Sequence, residues 1–204
     1  MSHLPSWIRQ HLAALRALLV ITVVCGIAYP LVMVGVAQSA FHHQANGSLV
    51  TYHGRTVGSS LLCQQFVNSK GAPLPRYFQG RPSETAGSAC NPLASGGSNL
   101  STTSLKLART IDARRQQVAR FNGVSPASVP PDAVTASASG LDPAISPAYA
   151  YLQVNRVASA RHLSPAAVRA LVATFLQGRT LGFLGEPRVN VLNLNLALDN
   201  RFGR

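Results

Sequence analysis

Ser95-Gly96-Gly97-Ser98-Asn99 is the segment of this chain best suited to holding a phosphate, because successive glycines let backbone N–H groups converge on an anion. The same five residues also spell an ordinary turn whose glycines merely permit positive φ. No lysine follows at P-loop spacing, so a Walker motif is absent. Ser83, Ser95, Ser98 and Ser137 are nucleophile types, and His53 and His162 are base types, but neither a Gly-x-Ser-x-Gly elbow nor a Ser-x-x-Lys pattern occurs. Asp142 and Glu186 each precede a proline, which suits caps or ion pairs with Arg81, Arg156 or Arg188 better than an acid and base pair. The expected set of catalytic residues is therefore empty.

Metal chemistry fares no better. Cys63 and Cys90 carry no C-x-x-C spacing and no companion histidines at zinc distance, and Cys25 falls in an apolar run. No metal site is expected. Two thiols in an oxidising compartment make one candidate bridge, Cys63 to Cys90, and the alternative is two separate small buried side chains. The loop at Ser95 looks like the signature loop of ABC transporters, which keeps a nucleotide contact open beside the plain turn.

The charge balance is lopsided, with 18 Lys plus Arg against 6 Asp plus Glu and a net +12. Such a balance invites a nucleic-acid reading, yet the one cluster, Arg109, Arg114, Arg115 and Arg120, comes with no recognition motif. A solvated helix face, anionic lipid headgroups or acidic partner loops account for it without nucleic acid.

These residues need elements to position them. From Ala17 to Phe41 no side chain is charged, and a helix of about 20 such residues crosses a bilayer. Arg9 and Arg16 precede the run and no acid occurs before Glu84, so the basic lead, residues 1–16, is expected in the cytoplasm. The reading divides the chain into that lead, a membrane helix over 17–41, a connector over 42–54 and an extracytoplasmic domain over 55–204. The alternative is a signal peptide cut near Ala37-Gln38-Ser39, which would release a periplasmic binding protein. Pro30 predicts a kink in the span. Small residues Gly26, Ala28, Gly35 and Ala37 are the candidates for close packing on neighbouring membrane helices.

The outer part reads as α+β: one N-terminal membrane helix followed by a single mixed helix and strand soluble domain. A strand is expected over Val57 to Phe66, a turn at Gly71 to Pro75 and a long loop from Gly80 to Asn99. Leu105, Ala108, Ile111, Val118 and Phe121 recur at helical spacing before Asn122-Gly123, predicting a helix from Thr103 to Phe121. A short strand is expected at Ala133 to Ala136. Ser146-Pro147 and Ser164-Pro165 each place a cap before a proline, which predicts helices over Pro147 to Arg161 and Pro165 to Gln177. Val189 to Leu198 fits a strand and a helix equally.

Five phrases recur in order behind the anchor: Tyr77-Phe78-Gln79-Gly80-Arg81-Pro82-Ser83, Ser95-Gly96-Gly97-Ser98-Asn99-Leu100, Thr135 to Pro143, Gln153-Val154-Asn155-Arg156-Val157-Ala158, and Leu181-Gly182-Phe183-Leu184-Gly185-Glu186-Pro187-Arg188-Val189-Asn190-Val191 on to Asp199. In this order they resemble the C subunit family, KdpC, of the Kdp potassium-transporting P-type ATPase. The resemblance implies an accessory and assembly subunit with no cofactor of its own. Its expected partners are an ATPase subunit, a channel-like potassium-binding subunit and membrane lipid. It also implies that ATP and potassium are handled by those partners, and that the subunit acts as a catalytic chaperone raising the ATP affinity of the hydrolysing subunit. The implied location is the inner membrane, single-pass, with the soluble domain outside. Ser101-Thr102-Thr103-Ser104-Leu105 departs from the family pattern, and Cys63 and Cys90 fall where glycine and tyrosine are expected.

Overall fold

The computed structural model describes residues 4–85 and 90–203. Residue 87 of the expected Gly80 to Asn99 loop, like the ends of the 1–16 and 55–204 segments, lies outside the described residues. The chain divides into two compact units, Met1–Leu49 and Val50–Arg204.

The first unit is a continuous helix, Ser6–Ala40, 35 residues long and apolar enough to cross a membrane. It begins well before the uncharged run, so Arg9 and Arg16 are helical. It comprises α1 (Ser6–Ile21), a π-helical stretch Thr22–Ala28 and α2 (Tyr29–Ala40). Pro30 stands in the first turn of α2. Having no N–H, it leaves the preceding turn one bond short, and a widened turn is how the helix absorbs that defect. The single turn α3 (His42–Ala45) follows.

Strands β1 (Leu49–Tyr52) and β2 (Arg55–Ser59) form a two-stranded sheet, joined through His53 and Gly54, both at positive φ. Two left-handed residues are what a tight hairpin turn of the primed type requires. The predicted strand over Val57 to Phe66 thus ends at Ser59, and its partner lies inside what reads as a connector.

Four helices make the body of the second unit. Helix α4 (Leu105–Asn122) is capped by Ser104 and stopped by Gly123 at φ 64°. Its Val124 N–H returns to the Ala119 carbonyl. Two 3₁₀ turns follow at Pro126–Ser128 and Pro131–Ala133. The second replaces the strand expected at Ala133 to Ala136, because Pro130 and Pro131 offer no N–H to a sheet.

Strand β3 (Ala144–Ile145) leads into α5 (Pro147–Ala160), and α6 (Pro165–Thr174) into β4 (Leu176–Gln177). Strand β5 (Arg188–Asn190) then leads into α7 (Val191–Phe202). The two-way reading of Val189 to Leu198 resolves at Asn190, whose side chain caps α7 by accepting from the Asn193 N–H. The sheet is antiparallel in the order β3-β5-β4, with Ile145 and Leu176 both opposite Val189. The core joins Val154 and Val157 of α5, Val168 and Val172 of α6, Leu194 and Leu198 of α7, and Phe78 from the long loop region.

Candidate functional site

The glycine loop is occupied by protein. The Gly96 N–H donates to the Ser139 carbonyl at 2.8 Å, and the Ser95 hydroxyl donates to the same oxygen at 3.1 Å. A Cβ on Gly97 would lie 2.8 Å from the Ala138 carbonyl oxygen. Gly140 completes the junction at φ 71°, where a Cβ would lie 2.5 Å from Thr85 and 2.7 Å from the Gly96 carbonyl oxygen. The glycines therefore allow two loops to touch backbone to backbone. Ser98 accepts from the Leu100 N–H, at 3.5 Å, and Asn99 takes φ 51° to leave the loop.

The junction is tied from below. The Ser83 hydroxyl donates to the Gly140 carbonyl at 2.7 Å, and Arg81 pairs with Asp142 at 2.8 Å. Cys63 and Cys90 are joined by a disulfide with their Cα atoms 5.9 Å apart, and the Cys63 N–H donates to the Leu141 carbonyl at 2.9 Å. These bonds bring the first three family phrases to one place. Beside them lies a cleft of about 620 Å³, on whose wall Arg81 and Arg114 are each committed to a carboxylate, Asp142 and Glu84.

The other phrases hold the extended segment Tyr77 to Gln79. Asn195 accepts from the Phe78 N–H and donates to its carbonyl, both at 2.9 Å. Gln153 does the same for Gln79, accepting from its N–H at 2.7 Å and donating to its carbonyl at 3.1 Å. Side-chain amides from two helices thus supply the bonds that neighbouring strands would give.

Arg156 runs alongside, buried, with its guanidinium donating to Asn122 at 2.9 Å, to Gln153 at 2.7 Å, to the Tyr77 carbonyl at 3.0 Å and to the Pro75 carbonyl. The guanidinium also lies over the Phe121 ring, 4.4 Å from its centre. Every one of these partners is neutral. Burial without an anion pulls the Arg156 pKa down to about 10, and burial pushes the Tyr149 phenol up to about 12.

A second arginine is balanced. Arg161 pairs with Asp199 at 2.6 Å, the two side chains only 3% and 5% exposed. The Tyr77 hydroxyl donates to the other Asp199 oxygen at 3.0 Å, and its own pKa is raised, first by burial and then by that carboxylate.

Asp112 pairs with Arg115, Glu186 with Arg179, and Asp132 accepts from the backbone and hydroxyl of Ser146. The side chains of all six Asp and Glu residues are thereby engaged, which places Asp142 and Glu186 in ion pairs. Their partners are Arg81 and Arg179, whereas Arg156 bonds neutral groups.

The remaining candidates are scattered. Among the described residues, no hydrogen bond links His53 or His162 to Ser83, Ser95, Ser98 or Ser137. His53 sits in the β1–β2 turn, and His162 just beyond α5. Gly26 and Ala28 fall in the π stretch, Gly35 and Ala37 in α2. At about 100° per residue, Gly35 and Ala37 project from opposite sides of α2. Sequence pattern alone does not single out the paired amides Gln153 and Asn195 as site residues. Their one signal is an uncharged polar side chain at a buried position among the apolar residues of α5 and α7.

Comparison with known proteins agrees with the five phrases. The family described as KdpC, K+-transporting ATPase, c chain, matches residues 11–200. A potassium-transporting ATPase KdpC subunit from Sorangium cellulosum is 54% identical over 186 residues, 91% of this chain and 95% of that protein. One from Allorhizobium ampelinum is 52% identical over 186 residues, 91% and 93% of the two chains. Another, from Bradyrhizobium diazoefficiens, is 48% identical over 204 residues, 94% and 97% of the two chains. With a family model matched over residues 11–200 and relatives about half identical across nearly their whole length, the chain belongs to the KdpC family of potassium-transporting ATPase subunits.

Proposed function

We propose that this chain is a non-catalytic accessory subunit that assembles with an ATPase subunit and a channel-like potassium-binding subunit. It is held in the inner membrane by Ser6–Ala40, with its soluble domain outside. One observation carries the reading: the Gly96 N–H, which a phosphate would need, is spent on the Ser139 carbonyl, and Ala138 closes the space beside Gly97. The loop is a packing junction. The disulfide supports an outside location, because such bonds persist in oxidising compartments. The subunit then raises the ATP affinity of the hydrolysing subunit as a coupling free energy carried through the membrane subunits, with ATP and potassium bound by the partners.

The test measures nucleotide binding by the purified chain and ATP turnover by the complex with and without it. The reading expects no nucleotide binding by the chain alone and a higher Michaelis constant for ATP when the chain is missing. Saturable binding of ATP to the isolated chain would contradict it.

A further inference from the structure

The cleft of about 620 Å³ beside the glycine junction has the size of a small-molecule site. Val118 and Phe121 of α4, with Pro73 and Pro82 from the loops, give it apolar walls. One polar group there is unspent. Tyr149, in the first turn of α5, lines the cleft and is only 4% exposed, yet among the described residues its hydroxyl has no hydrogen-bond partner. Buried polar groups are bonded as a rule, so a phenol left unbonded at the wall of a cavity is a group whose partner comes from outside the chain. Arg114 adds further donors. One of its nitrogens is taken by Glu84, and the others have no partner among the described residues.

Charge narrows what can sit there. The guanidiniums on the cleft wall, Arg81 and Arg114, already hold Asp142 and Glu84. Arg156, over the Phe121 ring, is opposed by Asp132, and the two act on the Tyr149 phenol with opposite sign. An anion would have to displace one of these carboxylates, and a cation would meet guanidiniums. An uncharged ligand meets neither obstacle.

We propose that this cleft binds a small uncharged molecule with an apolar body and a carbonyl oxygen, the oxygen accepting from the Tyr149 hydroxyl and the body lying against Val118 and Phe121. Such an occupant joins α4 to the start of α5 and to the loop residues Gly80 to Ser83, all of which line the cleft. Its binding is therefore read as stabilisation of the folded domain.

The probe is benzamide, with benzoate and benzylammonium as its anionic and cationic counterparts. Each is titrated at neutral pH into the detergent-solubilised full chain while the thermal midpoint of the outer domain is followed. The proposal expects a saturable rise for benzamide with a Kd of about 1 mM, the range open to so small a ligand. The two charged probes should bind more weakly by roughly fivefold or more. Tyr149→Phe keeps the ring, removes the hydroxyl and should weaken benzamide roughly fivefold. Gln117→Trp, at an exposed α4 position on the cleft wall, should abolish binding by filling the space. Should Tyr149→Phe fail to fold, the Gln117→Trp result decides. No saturable rise, equal binding of all three probes, tighter binding of a charged one, or benzamide binding unchanged in either folded variant overturns the proposal.

Discussion

Asn195 holds Phe78 by both of its backbone polar groups, accepting from the N–H and donating to the carbonyl at 2.9 Å each, with Asn195 and Phe78 both fully buried. One side chain on α7 thereby fixes a loop segment 117 residues earlier in the chain. Removing that amide strands a buried donor and a buried acceptor, each costing about 1 to 3 kcal/mol. Asn195→Ala should therefore lower stability by about 2 to 6 kcal/mol, read as a shift in the urea midpoint of the detergent-solubilised chain.

The Arg161–Asp199 pair makes a sharper case because both partners are buried. Asp199→Asn leaves the guanidinium without its anion, and breaking a buried pair costs about 3 to 5 kcal/mol. The double variant Arg161→Met with Asp199→Leu should recover much of that loss. A double variant no better than Asp199→Asn would show that the hydrogen bonds to Arg76, Gly203 and Tyr77 matter more than the charge.

The glycine junction separates packing from ligand binding. Gly140→Ala introduces a Cβ into space held by Thr85 and Gly96 at positive φ and should cost about 2 kcal/mol or more. Gly96→Ala, with nothing within 4 Å, should be close to neutral. If the loop instead cradled phosphate, Gly96→Ala would weaken nucleotide response while leaving the urea midpoint alone.

Alkaline titration tests the buried Tyr149 and Arg156. The Tyr149 pKa is about 12 folded against 10.0 as a free phenol, so between these values the native state holds the extra proton. Its stabilising contribution is complete below pH 10 and is lost as pH rises through 12, amounting to about 2 to 3 kcal/mol. Arg156 acts oppositely: with a folded value of about 10 against 12.5, its burial penalty is relieved over that window. Tyr149→Phe should therefore make the loss of stability between pH 10 and pH 12 shallower, as read by unfolding midpoints across that range.

Reducing the Cys63–Cys90 bridge frees a loop with a sequence separation of 27. Chain entropy alone predicts a loss of about 3 to 4 kcal/mol. The thermal midpoint should fall on reduction, and the double serine variant should match the reduced protein.

The helices were legible because periodicity and capping agreed. Ser146 and Ser164 each cap where hydroxyl and spacing predicted, and Asn122-Gly123 ends α4, whereas the cap at Ser104 falls one residue inside the helix expected from Thr103. The two-residue strands β3 and β4 were not, since Ala144–Ile145 and Leu176–Gln177 are too short to show alternation and exist only because β5 lies between them. At the junction, the sequence showed glycines but not their reason. Whether Gly97 meets a phosphate or the Ala138 carbonyl depends on a loop some 40 residues away, which local pattern does not reach.

The account turns on the second unit standing outside the membrane and acting on ATP only through its partners. Intact cells should be treated with a mild reductant and then a membrane-impermeant thiol reagent. Cys63 and Cys90 should be labelled without permeabilisation. Labelling that appears only after the membrane is opened would place the domain in the cytoplasm and contradict the account.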